Sequence, residues 1–202
     1  VDPNNEKDRV GDELVQGGRF DQIVGVLTHA TIANVLEASE EDIAGDLPMY
    51  ALARTRDIVK NARTGGIPRN TRLVLRVATS TGAYLNRFMP GPDWAFLGGE
   101  MSVPGGRVDL AWQHSDGRVF FDELKTTKQN TPIGTQDRAQ IERYAKAGHE
   151  MFGSKFAGVR YIPLMYPGAA LFACIESSGH NFTLQPLAQS GFHSSNLQGS
   201  QS

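Results

Sequence analysis

Asp109, Glu123 and Lys125 carry side chains that, if brought together, could bind a divalent cation and manage charge on a reacting group. Glu123 and Lys125 are two positions apart, so a strand places them on one face, one pleat apart. Phe120 and Leu124 fall on the other face, where they can pack against helices. In the preceding run, Val108, Leu110 and Trp112 share one side, and Asp109 lies on the opposite one. His114-Ser115-Asp116-Gly117 joins the two runs, and Asp-Gly is a strong hairpin signal. A hairpin turning there brings Asp109 to the face that bears Glu123 and Lys125. Asp122 points away and is left out of the cluster.

Two adjacent carboxylates repel each other, and a cation relieves the repulsion. Hard oxygen ligands select Mg²⁺, with Mn²⁺ able to substitute. Such an ion polarises an oxygen of the substrate and acidifies an attacking water, which is the chemistry of metal-assisted hydrolysis. An ammonium beside two anions keeps its proton, so Lys125 is expected to position water and offset growing charge rather than act as a base.

The elements that must position this cluster change character along the chain. Residues 1–19 are polar and read as a flexible arm. Phe20–Ala38 carries Ile23, Val24, Leu27, Ala30, Val35 and Leu36 with helical periodicity. Pro48 opens a second helix to about Arg63, with Met49, Leu52, Ala53, Arg56 and Val59 in register. Gly65, Gly66 and Pro68 end it. A third helix follows the capping residues Asn70/Thr71 and aligns Leu73, Val77, Ser80, Tyr84 and Phe88. After Pro90-Gly91-Pro92 come short β-rich runs at Trp94–Glu100, Arg107–Trp112 and Val119–Lys125. A helix from Thr135 or Asp137 to Met151 precedes two more strands, Val159–Tyr166 and Ala170–Ile175. Pro163 suggests an edge or a bulge in the first of these. The expected organisation is therefore an arm (1–19), a helical region (20–93), an α/β core (94–187) with a mixed central sheet flanked by helices, and a Ser/Gly/Gln/Asn tail (188–202) read as disordered.

Gly-Gly-Arg-Val-Asp109, thirteen intervening residues, then Glu123-Leu-Lys125 resembles the PD-(D/E)XK nuclease superfamily. Glu100, nine positions before Asp109, resembles the upstream acid that many members place at the metal. Gln140-Ile-Glu-Arg-Tyr144 resembles the Gln-x-x-x-Tyr motif of the RecB-like and lambda-exonuclease-like branch. At i and i+4 these two side chains share a helical face. The resemblance spans about residues 94–176. It implies a restriction-endonuclease-like fold and Mg²⁺-dependent hydrolysis of nucleic acid, most simply DNA. It further implies metal ligation by Asp109, Glu123, Glu100 and the Leu124 carbonyl, with Gln140 and Tyr144 orienting the site. Relatives of this branch commonly carry a histidine on the helix before the first strand, but residues 71–89 contain none; Tyr84, Asn86 and Arg87 are the polar residues there. This leaves one-metal and two-metal chemistry both open.

Composition sets the outer bounds. The chain has 202 residues, 40% hydrophobic and 21% charged, enough for a compact core without staples. Cys174 is the only cysteine, which excludes an intrachain disulfide and suits a reducing cytoplasm. The first residue, Val, and the helical annex also suit an excised effector domain. No apolar run is long enough for a membrane span. His29, His114, His149, His180 and His193 show no metal-binding spacing. The net charge of −2 argues mildly against a life of nonspecific DNA binding, but a local basic groove is compatible with it. Arg72, Arg76 and Arg87 could track phosphates or simply form a solvated face, and the polar stretch Thr126–Asn130 could grip a nucleic-acid backbone or merely connect. Two other readings stay open: an exposed hairpin with cross-strand ion pairs, and a noncatalytic nucleic-acid-binding protein on the same fold.

Overall fold

The computed structural model describes residues 20–43, 45–126, 133–175 and 182–187. The expected arm, most of the polar stretch after Lys125 and the expected tail lie outside the described residues. The chain divides into two compact units, Val1–Gly82 and Ala83–Ser202. The division falls inside the helix Thr71–Arg87.

The first unit is helical: α1 (Phe20–Leu36), the short α2 (Glu40–Ile43), α3 (Leu47–Asn61) and most of α4 (Thr71–Arg87). Local chemistry sets their starts. Asp46 accepts the Met49 N–H at 2.9 Å ahead of Pro48, and Asn70 accepts the Leu73 N–H at 3.2 Å. Both satisfy N–H groups that the first helical turn leaves without a carbonyl. Ile23, Val24, Leu27, Val59, Leu73 and Val77 form the core of this unit. Two expected stripes shift. In α1, Thr28, Thr31 and Ile32 are buried while Ala30 is exposed. In α3 the buried line is Ala51, Thr55 and Val59, and Met49 is 59% exposed. Buried threonines account for both shifts. Thr31 and Thr55 return their hydroxyls to the carbonyls of Leu27 and Ala51, so they enter the core at little polar cost. The expected α4 stripe is buried throughout.

The second unit is an α/β layer built on a six-stranded mixed sheet in the order β1-β2-β3-β4-β5-β6. The strands are β1 (Trp94–Val103), β2 (Gly106–His114), β3 (Val119–Lys125), β4 (Phe156–Pro163), β5 (Leu171–Ile175) and β6 (Phe182–Pro186). All neighbours are antiparallel except β3 and β4, which are parallel because α5 (Thr135–Phe152) crosses between them. The β2–β3 connection turns at Asp116-Gly117, with Gly117 at φ +89°, as its Asp-Gly pair demands. β1 and β2 run longer than expected because Pro104-Gly105 closes them in a two-residue turn.

Pro163 does not mark an edge strand. β4 is central, and it tolerates Pro163 because that residue is its last and its pairing with β5 stops at Tyr161. β6 was not expected. Its residues pair with β5 from Leu171↔Pro186 to Ile175↔Phe182. Phe121, Ala111, Ile141, Tyr144, Ala145 and Val159 belong to the buried cluster that joins the sheet to α5. Val108 belongs to it too, so the strict alternation expected to pair it with Trp112 does not hold there. No described helix is long and apolar enough to cross a membrane.

Candidate active site

β3 is buried along its length, and Lys125 at its end keeps 23% of its side chain exposed. The β2–β3 register pairs Leu110 with Asp122 and Ala111 with Phe121, so Asp109 lies one step past the last pair, level with Glu123. There the strands separate, and a side chain replaces the ladder: Asp109 Oδ2 accepts the Leu124 N–H at 2.6 Å. Leu124 is thus joined to Asp109 through its N–H.

Glu100 arrives from β1, opposite Asp109, because Gly99 pairs with Leu110 and Met101 with Val108. The carboxylate oxygens of Glu100 and Asp109 lie within 4.8 Å of each other. Glu100 has φ +53°, the sole positive value at a non-glycine among the described residues. This conformation costs roughly 1–3 kcal/mol and tends to persist where the surroundings impose it. Arg107 holds Glu100 through Nε to Oε2 at 2.6 Å, at an exposed rim.

The second half of the site is a directed chain of hydrogen bonds. Lys125 Nζ donates to Glu123 Oε1 at 2.7 Å and to Gln140 Oε1 at 3.2 Å. Gln140 Nε2 donates to the Tyr144 hydroxyl at 3.0 Å, which donates to the Arg107 carbonyl at 2.7 Å. Each donor meets an acceptor, and this fixes the Gln140 amide with its carbonyl toward the lysine. Tyr144 reaches Arg107 because residue 106 is glycine: a Cβ there would meet the Tyr144 ring at 2.9 Å. The i, i+4 spacing on α5 therefore ties the helix to β2 and to the end of β3 at once.

Asp137 is the residue that sequence reasoning missed. It sits in the first turn of α5, with Oδ1 3.4 Å from Lys125 Nζ and Oδ2 accepting the Tyr161 hydroxyl at 3.1 Å. Its position three residues before Gln140, on the same helical face, was the available signal. Burial pulls the Lys125 pKa down, but Glu123, Asp137 and Asp109 more than offset it, so the pKa ends above the usual lysine value. Burial, then Asp137, pushes the Tyr161 hydroxyl well above the ordinary tyrosine range.

The opposite face of β3 carries a separate, closed cluster. Asp122 is fully buried, and Arg160 of β4 grips it through Nε at 2.6 Å and Nη2 at 2.7 Å. Tyr84 donates to Asp122 Oδ2 at 2.6 Å, and Trp112 Nε1 does so at 3.2 Å. The Arg160 guanidinium stacks 4.4 Å above the Phe120 ring. Tyr84 is thus spent on Asp122, while Asn86 and Arg87 are exposed. Trp112 is core, and Trp94 is half-buried, edge-on to Phe120 and His114.

In comparisons with known proteins, no family model, no curated protein and no solved structure matches the chain.

Proposed function

We propose that this chain is a PD-(D/E)XK-type nuclease of the RecB-like branch that hydrolyses phosphodiester bonds of nucleic acid, DNA first, with Mg²⁺ as its cofactor. The observation that carries this reading is the connection among three separate sequence signals. Asp109 meets the Leu124 backbone, Lys125 meets Glu123 and Gln140, and Gln140 meets Tyr144, within one end of one sheet. An exposed hairpin with incidental ion pairs accounts for none of the helix contacts.

Part of the donor set suits a hard cation: Asp109 and Glu100 offer carboxylate oxygens within 4.8 Å of each other, while Glu123, with Oε1 on Lys125, does not join that group and would have to turn toward it to share an ion. By the resemblance, the Leu124 carbonyl would join them. When bound, Mg²⁺ supplies Lewis acidity toward a phosphoryl oxygen and toward a water. The remaining work falls to the chain itself. Lys125, held charged by the carboxylates around it, orients the attacking water and balances charge gathering on the phosphorus oxygens. Gln140 fixes the ammonium in direction, and Tyr144 fixes Gln140 to β2, so the cation is aimed before substrate arrives.

Incubation with supercoiled plasmid, linear duplex, single-stranded DNA and RNA, in Mg²⁺, Mn²⁺ or EDTA, tests the reading. Metal-dependent cleavage of at least one substrate is expected, and nicking of the circle would mark endonuclease action. Cleavage that persists in EDTA, or none on any substrate, would overturn it.

A further inference from the structure

The chain holds 20 Lys and Arg against 22 Asp and Glu, yet the cations are unevenly spread. Residues 54–76 contain seven of them, namely Arg54, Arg56, Lys60, Arg63, Arg69, Arg72 and Arg76, against the single acid Asp57. That stretch alone carries +6 (7 − 1) in a chain of net −2. It is the second half of α3, the connection after it and the start of α4.

Burial shows how the fold displays these charges. Thr55 and Val59 turn α3 inward, and Leu73 and Val77 do the same for α4. Arg56 and Lys60, at i and i+4 on α3, are left exposed, as are Arg63, Arg69 and Arg72. Among the described residues, no hydrogen bond or ion pair engages the side chains of Arg56, Lys60 or Arg69. Like charges this dense repel one another, and a globular unit gains nothing in stability from keeping them together. A polyanion supplies the missing counter-charge.

We infer that the 54–76 segment is a docking surface for the phosphodiester backbone of nucleic acid, with Arg56, Lys60 and Arg69 as phosphate contacts; this rests on the nucleic-acid reading above. The contacts are with backbone rather than bases, because separated cations on helices and a connection read charge, not sequence. Anionic membrane is the poorer match, since Val59, Leu73 and Val77 are spent in the core and Leu75 is the one large apolar side chain of the segment left exposed, too little for an inserting stripe.

The test is binding of a short fluorescent DNA duplex to the full chain in EDTA, titrated from about 50 to 200 mM salt. Wild type is compared with Arg56→Gln/Lys60→Gln/Arg69→Gln and with the charge-keeping Arg56→Lys/Arg69→Lys, each checked for unchanged circular dichroism. The neutralised variant is expected to bind at least about tenfold more weakly at low salt, with a salt slope shallower by about 3. The charge-keeping variant is expected to follow wild type. Equal slopes for wild type and the neutralised variant, no duplex binding by wild type, or tighter binding to phosphatidylserine vesicles than to DNA would each overturn the inference. Because EDTA removes the need for cleavage, the two readings fail separately. A chain that binds through these residues but cuts nothing keeps the docking surface and loses the nuclease. One that cuts while the variant keeps its slope does the reverse.

Discussion

Asp122 and Glu123 are adjacent in β3, yet the pleat sends them into opposite chemistry. Asp122 enters a sealed cluster in which every contact is accounted for: two bonds from Arg160, one from Tyr84 and one from Trp112. Glu123 faces α5 at the end of the strand, where its partner Lys125 still reaches solvent and also touches Gln140 and Asp137. Both are buried carboxylate–cation pairs. The first is fully buried among its four donors, and the second lies close enough to Asp109 for that carboxylate to act on the Lys125 charge. Burial and pairing are common to both acids, so under the proposed reading it is the open side and the neighbouring charges of the same sign that set Glu123 apart.

The largest effect expected from breaking this contrast is on stability. Asp122→Ala leaves Arg160 charged and buried without its partner, which costs about 3–5 kcal/mol. A urea midpoint that barely moves would mean that the cluster is not the structural one. Next comes Lys125→Ala. Cleavage is expected to fall about 100- to 1000-fold, the usual loss of a group that stabilises developing charge. Stability should fall by less than in Asp122→Ala: Lys125→Ala also leaves a buried charge, Glu123, without its cation, but the space that the partly exposed lysine vacates opens to water, whereas Arg160 stays sealed. A Lys125→Ala protein that unfolds like Asp122→Ala would erase the distinction between the two faces.

A smaller step is Tyr144→Phe, which removes the hydroxyl between Gln140 and the Arg107 carbonyl. It is expected to cost about 1 kcal/mol in thermal or urea unfolding and to reduce cleavage. Unchanged cleavage would detach Gln140 from the proposed site. The smallest effect lies in the β2–β3 turn. There the Arg118 N–H, opposed by slight burial and helped by His114 and the Arg118 side chain, lowers the Asp116 pKa to about 2. A depressed carboxylate stabilises the fold above its unfolded value and loses that contribution as pH falls, here between about 4 and 2. Carboxyl-carbon NMR should show Asp116 titrating near the lower end of that window. An ordinary midpoint would show the turn to be looser than described.

Much of the sheet was legible because strand alternation and turn chemistry are local. β3 has the expected bounds, the Asp-Gly turn is present, and Glu123 and Lys125 share a face. The Gln140/Tyr144 pair was legible because helical spacing is local too. What escaped depends on distance along the chain. Arg160 lies 38 residues from Asp122, and nothing near Asp122 announces it. Asp137 becomes part of the site only once α5 is laid across the end of β3. The α1 and α3 stripes were misjudged because threonines that bond back to their own helix pass as apolar, which residue type conceals.

The most direct measurement is cleavage of linear and circular DNA in Mg²⁺ by Asp109→Asn beside wild type, with unfolding of both followed in parallel. The account predicts a folded protein whose cleavage falls at least about 100-fold, since a carboxylate that would hold the cation is gone while the rest of β2 and β3 stays in place. A folded Asp109→Asn protein that cuts as well as wild type would contradict it.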